Sequence, residues 1–366
     1  MQRMRITIAV VVLVVVALVA GALAAHWPFW QRAWQWQTAA DGWPDALPGP
    51  KVRISAAGSY LPLRVVTDAR LSARVDDNTQ MLLVGDTSGR VAAWFAPGTS
   101  ELTPIDGRGL AAGLLGPLLG TLQVEPGALL LDVPLRSLLD RWQHDARGEI
   151  TPRQLLWQLS GLENPPLVPL NPWSRRAQLA SGPDFGRAAL HTRQVFPPGT
   201  HFEVAPANAQ LLALLAARVT GIAYADLVQR LWSQFAAQDA EGTLDHRRGQ
   251  MAAHCCLRAA AADWLRLGLL LAADGRSGER QVLPAGHVAQ MTVASPVHPG
   301  YGLGFRLGSS GAGNGTLLLE TEGRSLGVAP RAGRAVLWAG KGAPPVWLYE
   351  LLDPTLFALA DSTASE

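Results

Sequence analysis

ITPRQLLWQLSGL, residues Ile150 to Leu162, has the start and the stop of a helix written into it. Thr151 stands where an N-cap belongs, Pro152 takes the first helical position, where a missing N–H costs nothing, and Gly161 is a stop signal. Just upstream, GALLLDVPLRSLL (Gly127–Leu139) is an apolar run interrupted by Asp132 and Pro134. Downstream, ANAQLLALLAARVTG (Ala207–Gly221), YADLVQRLWSQFA (Tyr224–Ala236) and AAADWLRLGLLLAADG (Ala260–Gly275) place apolar residues at helical spacing. The pattern changes on both sides of this middle. QMLLVGD (Gln80–Asp86) and RVAAWFA (Arg90–Ala96) read as strands around a turn at Thr87-Ser88-Gly89, a hairpin near the start of the folded part. YGLGFRLG (Tyr301–Gly308), GTLLLETE (Gly315–Glu322) and RAVLWAG (Arg334–Gly340) are strand-like, and PVWLYELL (Pro345–Leu352) begins a final helix. Strands at both ends with helices between predict an α+β domain whose sheet is completed by the C-terminal part. In that reading the sheet comes from about 51–108 and 300–345, with a helical part over about 109–290, inside a domain spanning 51–366.

Ahead of the domain, Ile6 to Ala25 contains no charge and one polar side chain, Thr7. At ~1.5 Å per residue it covers roughly 30 Å of hydrocarbon, enough to cross a bilayer. Arg3 and Arg5 precede it, and Trp27, Phe29, Trp30, Trp34 and Trp36 follow. Positive charge marks the inner side and an aromatic belt the outer. The expectation is a single-pass inner-membrane anchor over 1–25, with the domain facing the periplasm or outside. The alternative is a cleaved signal peptide, with small residues at Ala22-Leu23-Ala24. Residues 26–50 read as a Trp- and Pro-rich connector, because Pro44, Pro48 and Pro50 oppose a regular helix in its second half.

Composition narrows the function. Nearly half of the 366 residues are hydrophobic, the formal net charge is +2, and the positive charge is nearly all Arg spread along the chain, which disfavours nucleic-acid binding. The only cysteines, Cys255 and Cys256, are adjacent, and neighbouring cysteines rarely reach disulfide geometry. No disulfide framework is expected.

In order along the chain, several segments resemble the class C β-lactamase-like serine hydrolases, the penicillin-binding proteins and the 6-aminohexanoate-oligomer hydrolases. GALLLDVPLRSLL resembles the segment after their nucleophile helix, and ITPRQLLWQLSGL resembles the following helix and Ser-Gly-Leu turn. PPGTHFEV (Pro197–Val204) and the helix ending RVTG are similar to the stretch around the second motif. Cys255–Val288 and YGLGFRL resemble the helix, loop and strand before the last motif. The likeness covers roughly residues 80 to 340. It implies a β-lactamase/penicillin-binding-protein-like fold, an antiparallel sheet flanked by helices plus a helical subdomain, and acyl-transfer chemistry without cofactor or metal.

That chemistry, as the resemblance implies it, needs a Ser with a Lys one turn later, a Tyr in Y-x-N or Y-x-S, and a K-x-G or H-x-G strand motif. The S-x-x-K positions fall on Gly109, Leu110, Ala111 and Ala112; the Tyr motif on Val204, Ala205 and Pro206; the strand motif on Thr321, Glu322 and Gly323, where only the glycine matches. Lysine occurs only at Lys51 and Lys341, preceded at three positions by Pro48 and Trp338, so the chain contains no S-x-x-K. None of Tyr60, Tyr224, Tyr301 and Tyr349 is followed two residues later by Asn or Ser. One H-x-G, His298-Pro299-Gly300, precedes the YGLGFRL strand rather than following it and reads as a turn. Gly113, Gly116 and Pro117 weaken the helix that would carry the nucleophile.

Other chemistries are weaker. Gly323-Arg324-Ser325-Leu326-Gly327 matches the G-x-S-x-G nucleophile elbow, but no histidine follows His298 in the chain, and Pro330 and Gly333 interrupt the helix that an elbow requires. Serine nucleophiles such as Ser160 or Ser137 stay formally open, though Ser160, in the Ser-Gly-Leu turn, reads as a helix-end hydrogen-bonding residue. His246, His254, Cys255 and Cys256 are close in sequence without a spacing that puts two metal ligands on one face, the cysteines reading as packed small hydrophobes. His191 and His201 flank the PPGT loop, facing solvent or capping a turn. The expectation is a membrane-anchored, β-lactamase-like pseudoenzyme that binds or scaffolds in the cell envelope, its vestigial cleft holding a peptide or cell-wall fragment. The alternatives are a serine hydrolase with a non-standard nucleophile and a structural partner in a membrane complex.

Overall fold

The computed structural model describes residues 10–17, 20–21, 24, 27–39, 49–56, 61–123, 130–310 and 313–359. Of the apolar N-terminal run, positions 10–17, 20, 21 and 24 are helical and exposed, while the rest of it, including Ala22 and Leu23, lies outside the described residues. Among the described residues no single helix is long and apolar enough to cross a membrane.

Strands β1 (Lys51–Ile54), β2 (Arg64–Thr67), β3 (Thr79–Asp86), β4 (Arg90–Phe95) and β5 (Pro104–Asp106) precede the helical middle. The middle itself adds β6 (Ala240–Thr243), β7 (Leu257–Ala260), β8 (Arg276–Ser277) and β9 (Arg280–Gln281). The last part supplies β10 (Arg306–Ser310), β11 (Gly313–Thr321), β12 (Arg324–Ala329) and β13 (Arg334–Gly340). The main sheet runs β10-β11-β12-β13-β3-β4-β2, so the C-terminal meander closes onto the expected N-terminal hairpin through antiparallel β13–β3 pairing. Its edge strand β2 runs parallel to β4, a departure from the all-antiparallel expectation. A second sheet, β1-β6-β7-β5, corrects the reading of about 109–290 as wholly helical and takes two strands from 51–108 out of the main sheet. Those short strands carry Ala, Gly and Arg rather than an alternating apolar pattern, which leaves period-two reading nothing to detect.

The described helices that shape the molecule are α1 (Trp27–Thr38), α2 (Leu115–Leu122), α3 (Pro152–Leu156), α4 (Arg175–Ser181), α5 (Phe185–Leu190), α6 (Pro206–Thr220), α7 (Tyr224–Trp232) and α8 (Ala261–Ala272). Every residue of α8 is buried, and it crosses the main sheet so closely that a Cβ on Gly268 would lie 2.8 Å from that of Ala335. Side chains alternate between the sheet's two faces. Leu83 and Leu337 join the large core under α8, whereas Leu82, Val84, Val336 and Trp338 pack beneath Leu348, Leu351, Leu352 and Phe357. The final helix is a 3-10 segment, Leu348–Leu352, stopped by Asp353 before Pro354, where the helical region is sterically disfavoured.

Thr151 and Gln154 form a full capping box on α3 with Pro152 inside its first turn, but that helix ends at Leu156, well before Gly161. Gly161 serves the next turn instead: its φ is +73°, and a Cβ there would meet the Phe196 carbonyl oxygen. The segment expected to carry a nucleophile is a 3-10 helix, Arg108–Leu114, that leads into α2. Pro117 therefore lies in the first turn of the α-helical part, not in an interior, and forfeits little.

The connector reading of 26–50 needs the largest correction. Phe29, Ala33 and Trp36, one face at helical spacing, are buried, with Ala177 and Ala180 of α4 in the same small cores. Between them Arg32 is 1% exposed and donates to the carbonyls of Gly182 (3.0 Å), Leu244 (2.8 Å) and Asp245 (3.0 Å). Burial pulls the Arg32 guanidinium below its usual range, with the Asp245 charge opposing. Trp27 and Trp34 stay exposed, while Phe29 and Trp36 are buried against the domain.

Candidate active-site cleft

The 3-10 segment, the entry to α6 and the end of β11 converge on a cavity of about 420 Å³. Gly109, Ala112, Val204, Ala205, Pro206 and Thr321 all line it. A Cβ built on Gly109 would stand 3.1 Å from that of Thr321, so the two positions that the resemblance assigned to the first and third motifs face each other. Gly323 is not on the wall. It sits at φ +70° in the β11–β12 turn, where a Cβ would lie 2.5 Å from the Gly340 carbonyl oxygen and 2.9 Å from Nη1 of Arg108.

Arginines tie this rim together. Nη1 of Arg108 donates to the Glu322 carbonyl (2.6 Å), and Arg324 donates to the carbonyls of Asp106 (2.9 Å) and Gly323 (2.6 Å). The Asp106 carboxylate accepts from the Arg108 backbone N–H at 2.7 Å. Burial pushes the Asp106 carboxyl up, opposed by that bond and by the charges of Arg324, Arg108 and Lys51.

Among the described residues that line the cavity there is no Ser, Cys or Lys; hydroxyls come from Thr321 and Tyr301. Burial raises the Tyr301 phenol above its ordinary range, the reverse of what a proton acceptor needs. Glu320 is held by an ion pair with Arg306 and accepts from the Tyr349 hydroxyl at 2.5 Å. Tyr349 in turn bonds Ser325 at 2.7 Å. Ser325 is therefore a fully buried residue of strand β12 with its hydroxyl engaged, and the G-x-S-x-G match is no nucleophile elbow. Ser160 is also buried, donating to Asn208 at 2.6 Å, and Ser137 bonds the Pro134 carbonyl.

His298 does sit in a turn, with the Tyr301 N–H donating to its carbonyl at 3.0 Å. Its ring also lines the cavity, stacked on Phe202 at 4.0 Å, which the turn reading missed. The residues weighed as a metal group separate. His246 reaches the Pro183 carbonyl at 3.0 Å, and His254 lines the cavity. Cys255 and Cys256 are bonded to each other, contrary to the expectation of two free thiols. They lie in a bend before β7 and open no helix. Of the loop histidines, His191 bonds the Arg187 carbonyl at 2.7 Å and His201 stacks on Phe196 at 4.0 Å.

Three cavity residues carry no sequence signal tied to catalysis: Trp36 from α1, Arg176 from α4 and His254. Trp36 donates its indole N–H to the Ala180 carbonyl at 3.3 Å. Burial pulls Arg176 below the usual guanidinium range. Burial and then the Arg176 charge hold His254 down to about 3, so its imidazole is neutral near neutrality.

Comparison with known proteins places this architecture. A Bacillus anthracis protein described provisionally as a 6-aminohexanoate-dimer hydrolase is 19% identical, with a TM-score of 0.69 over 88% of this chain and 92% of that one. A penicillin-binding protein from Bacillus halodurans is 15% identical (TM-score 0.55; 76% of this chain, 97% of that one). A β-lactamase from Mycobacterium bovis is 16% identical (TM-score 0.53; 79% and 96%). At such identities these likenesses speak to the fold. No curated protein matches the sequence. The family model described as Beta-lactamase matches residues 116–349, more than half of the chain, beginning just beyond Gly109–Ala112. The chain thus belongs to the β-lactamase family of serine hydrolases and has its α+β fold.

Proposed function

We propose that this protein is a membrane-anchored member of the β-lactamase family that binds a small ligand in the cell envelope and performs no acyl transfer. The observation that carries the reading is the cavity wall. Positions that the resemblance assigns to each of the three motifs, Gly109 and Ala112, Val204 to Pro206, and Thr321, line one cavity, and its described lining residues offer neither a Ser or Cys to attack a carbonyl nor a Lys to take the proton. A hydrolase with a substitute nucleophile would need a Ser or Cys within reach of a histidine. His254 and His298 are there, but among the described residues that line the cavity the hydroxyls belong to Thr321 and Tyr301; Ser295, off that wall, is bonded to the backbone of His298, and Cys255, next to His254, is tied to Cys256. Anchoring is supported by the uncharged run Ile6–Ala25 with Arg3 and Arg5 ahead of it, and by Trp27 and Trp34 on the outside of α1.

The test is intact mass of the full chain after incubation with a labelled penicillin. No adduct is expected, and none with Gly109→Ser, whose hydroxyl would face Ala112 where the family's Lys belongs and whose Cβ presses on Thr321. A stoichiometric acyl adduct on the unmodified chain overturns the reading and sends the search to Thr321.

A further inference from the structure

The cavity's polar groups are unevenly satisfied. Arg306 and Glu320 neutralise each other on the β10–β11 side. On the helical side, Arg176 has no hydrogen-bond or ion-pair partner among the described residues. Beside it His254 is 8% exposed and its ring makes no hydrogen bond among the described residues; its Nδ1 is sealed from solvent, which leaves Nε2 as the ring nitrogen that a group in the cavity can reach. A desolvated guanidinium without a counter-charge and an unpaired imidazole nitrogen are each costly to keep in a folded protein. Their placement on one wall makes sense if something outside the chain satisfies both.

We infer that Arg176 and His254 form a subsite for the carboxylate of a small, otherwise apolar ligand, a reading that rests on the cleft being a binding site as proposed above. Charge fixes the valence. The described wall carries Arg176, Arg306 and Glu320, which leaves one uncompensated positive charge and calls for a monoanion rather than a phosphate dianion. A guanidinium's planar fork matches a carboxylate's two oxygens, and a neutral imidazole can add one N–H donor. The remaining wall selects the ligand's body: Leu115, Leu156, Val204, Leu212 and Leu318, with the indole of Trp36, are apolar. The cavity's size suits a drug-sized or short acyl ligand. The family's acyl-transfer positions, Gly109 and Thr321, take no part in this subsite.

Calorimetric titration of the full chain in detergent with octanoate, N-octanoyl-alanine and octanamide tests the inference. Both carboxylates are expected to bind at least tenfold more tightly than the amide, and their ratio tells a free acyl chain from an acylated amino acid. Arg176→Gln should cost the carboxylates about tenfold or more and leave octanamide unchanged, with Arg176→Lys recovering part of the loss. Equal affinity for octanoate and octanamide, no binding of either carboxylate, or an unaltered Arg176→Gln protein overturns the subsite. Should Arg176→Gln fail to fold, the acid-to-amide ratio of the unmodified chain decides alone. An acyl adduct in the penicillin experiment would overturn the non-catalytic reading without touching this ratio, so the two failures are separable.

Discussion

Replacing Arg32 by Met keeps most of the side chain's length and removes three charge-assisted hydrogen bonds, to the carbonyls of Gly182, Leu244 and Asp245. Hydrogen bonds to a charged group contribute about 1.5–3 kcal/mol each, so losing three that share one guanidinium costs about 3–5 kcal/mol when the freed carbonyls stay dry. Because α1 packs into the two small cores beside α4 and outside the large core, its local opening is the expected way for those carbonyls to become wet. The loss therefore falls mainly on the local docking equilibrium of α1. At about 1.4 kcal/mol per decade it amounts to roughly a hundredfold to several-thousandfold more opening. Hydrogen exchange read by mass spectrometry is the assay. Amides of Trp27–Thr38 should lose two or more decades of protection, Ala177 to Ser181 less, and the main sheet almost none. Unchanged protection of Trp27–Thr38 in Arg32→Met would refute the idea that this guanidinium holds the helix in place.

Acid should weaken the fold through His254. Its folded-state pKa of about 3 lies below the ordinary 6.5, so the unfolded chain binds the extra proton first: stability is level above about pH 7 and falls as pH drops from 6.5 toward 3. Between pH 6.5 and 5 this amounts to about 2 kcal/mol, measurable by urea melts, and His254→Phe should flatten the slope by that amount. A chain anchored as proposed stays in the membrane fraction after a high-salt wash; recovery of a soluble form beginning near Ala25 would show a cleaved signal instead.

What could be read from the sequence follows from how far apart the cooperating residues lie. Thr151, Pro152 and Gln154 settle a helix start among neighbours, and the turn at Thr87–Gly89 settles a hairpin, so both were readable. Gly109 and Thr321 could be placed together only through family resemblance, because nothing local in the chain links them. The seating of the stretch around Arg32 is hidden for a different reason. Its fit depends on carbonyls more than a hundred residues away, and the tryptophans around it resemble an interfacial belt. Arg176 and His254 are single side chains on separate elements, without period or motif. Their significance lies in lacking partners, a property that exists only once the chain is folded. Gly323 matched the family motif and yet sits off the wall, its glycine demanded by a left-handed turn against the Gly340 carbonyl.

Trp36 is a wall of the cavity and belongs to the same rigid helix that Arg32 fastens to the domain. For a chain tethered by its N-terminus, tension from the tether reaches that helix before any other described element. Pulling α1 away would carry the indole out of the wall, and linkage makes the effect reciprocal: a ligand packed against Trp36 strengthens the seat of the helix. Load on the tether and occupancy of the cavity would then be two readings of one equilibrium, so a ligand could resist force and force could expel a ligand.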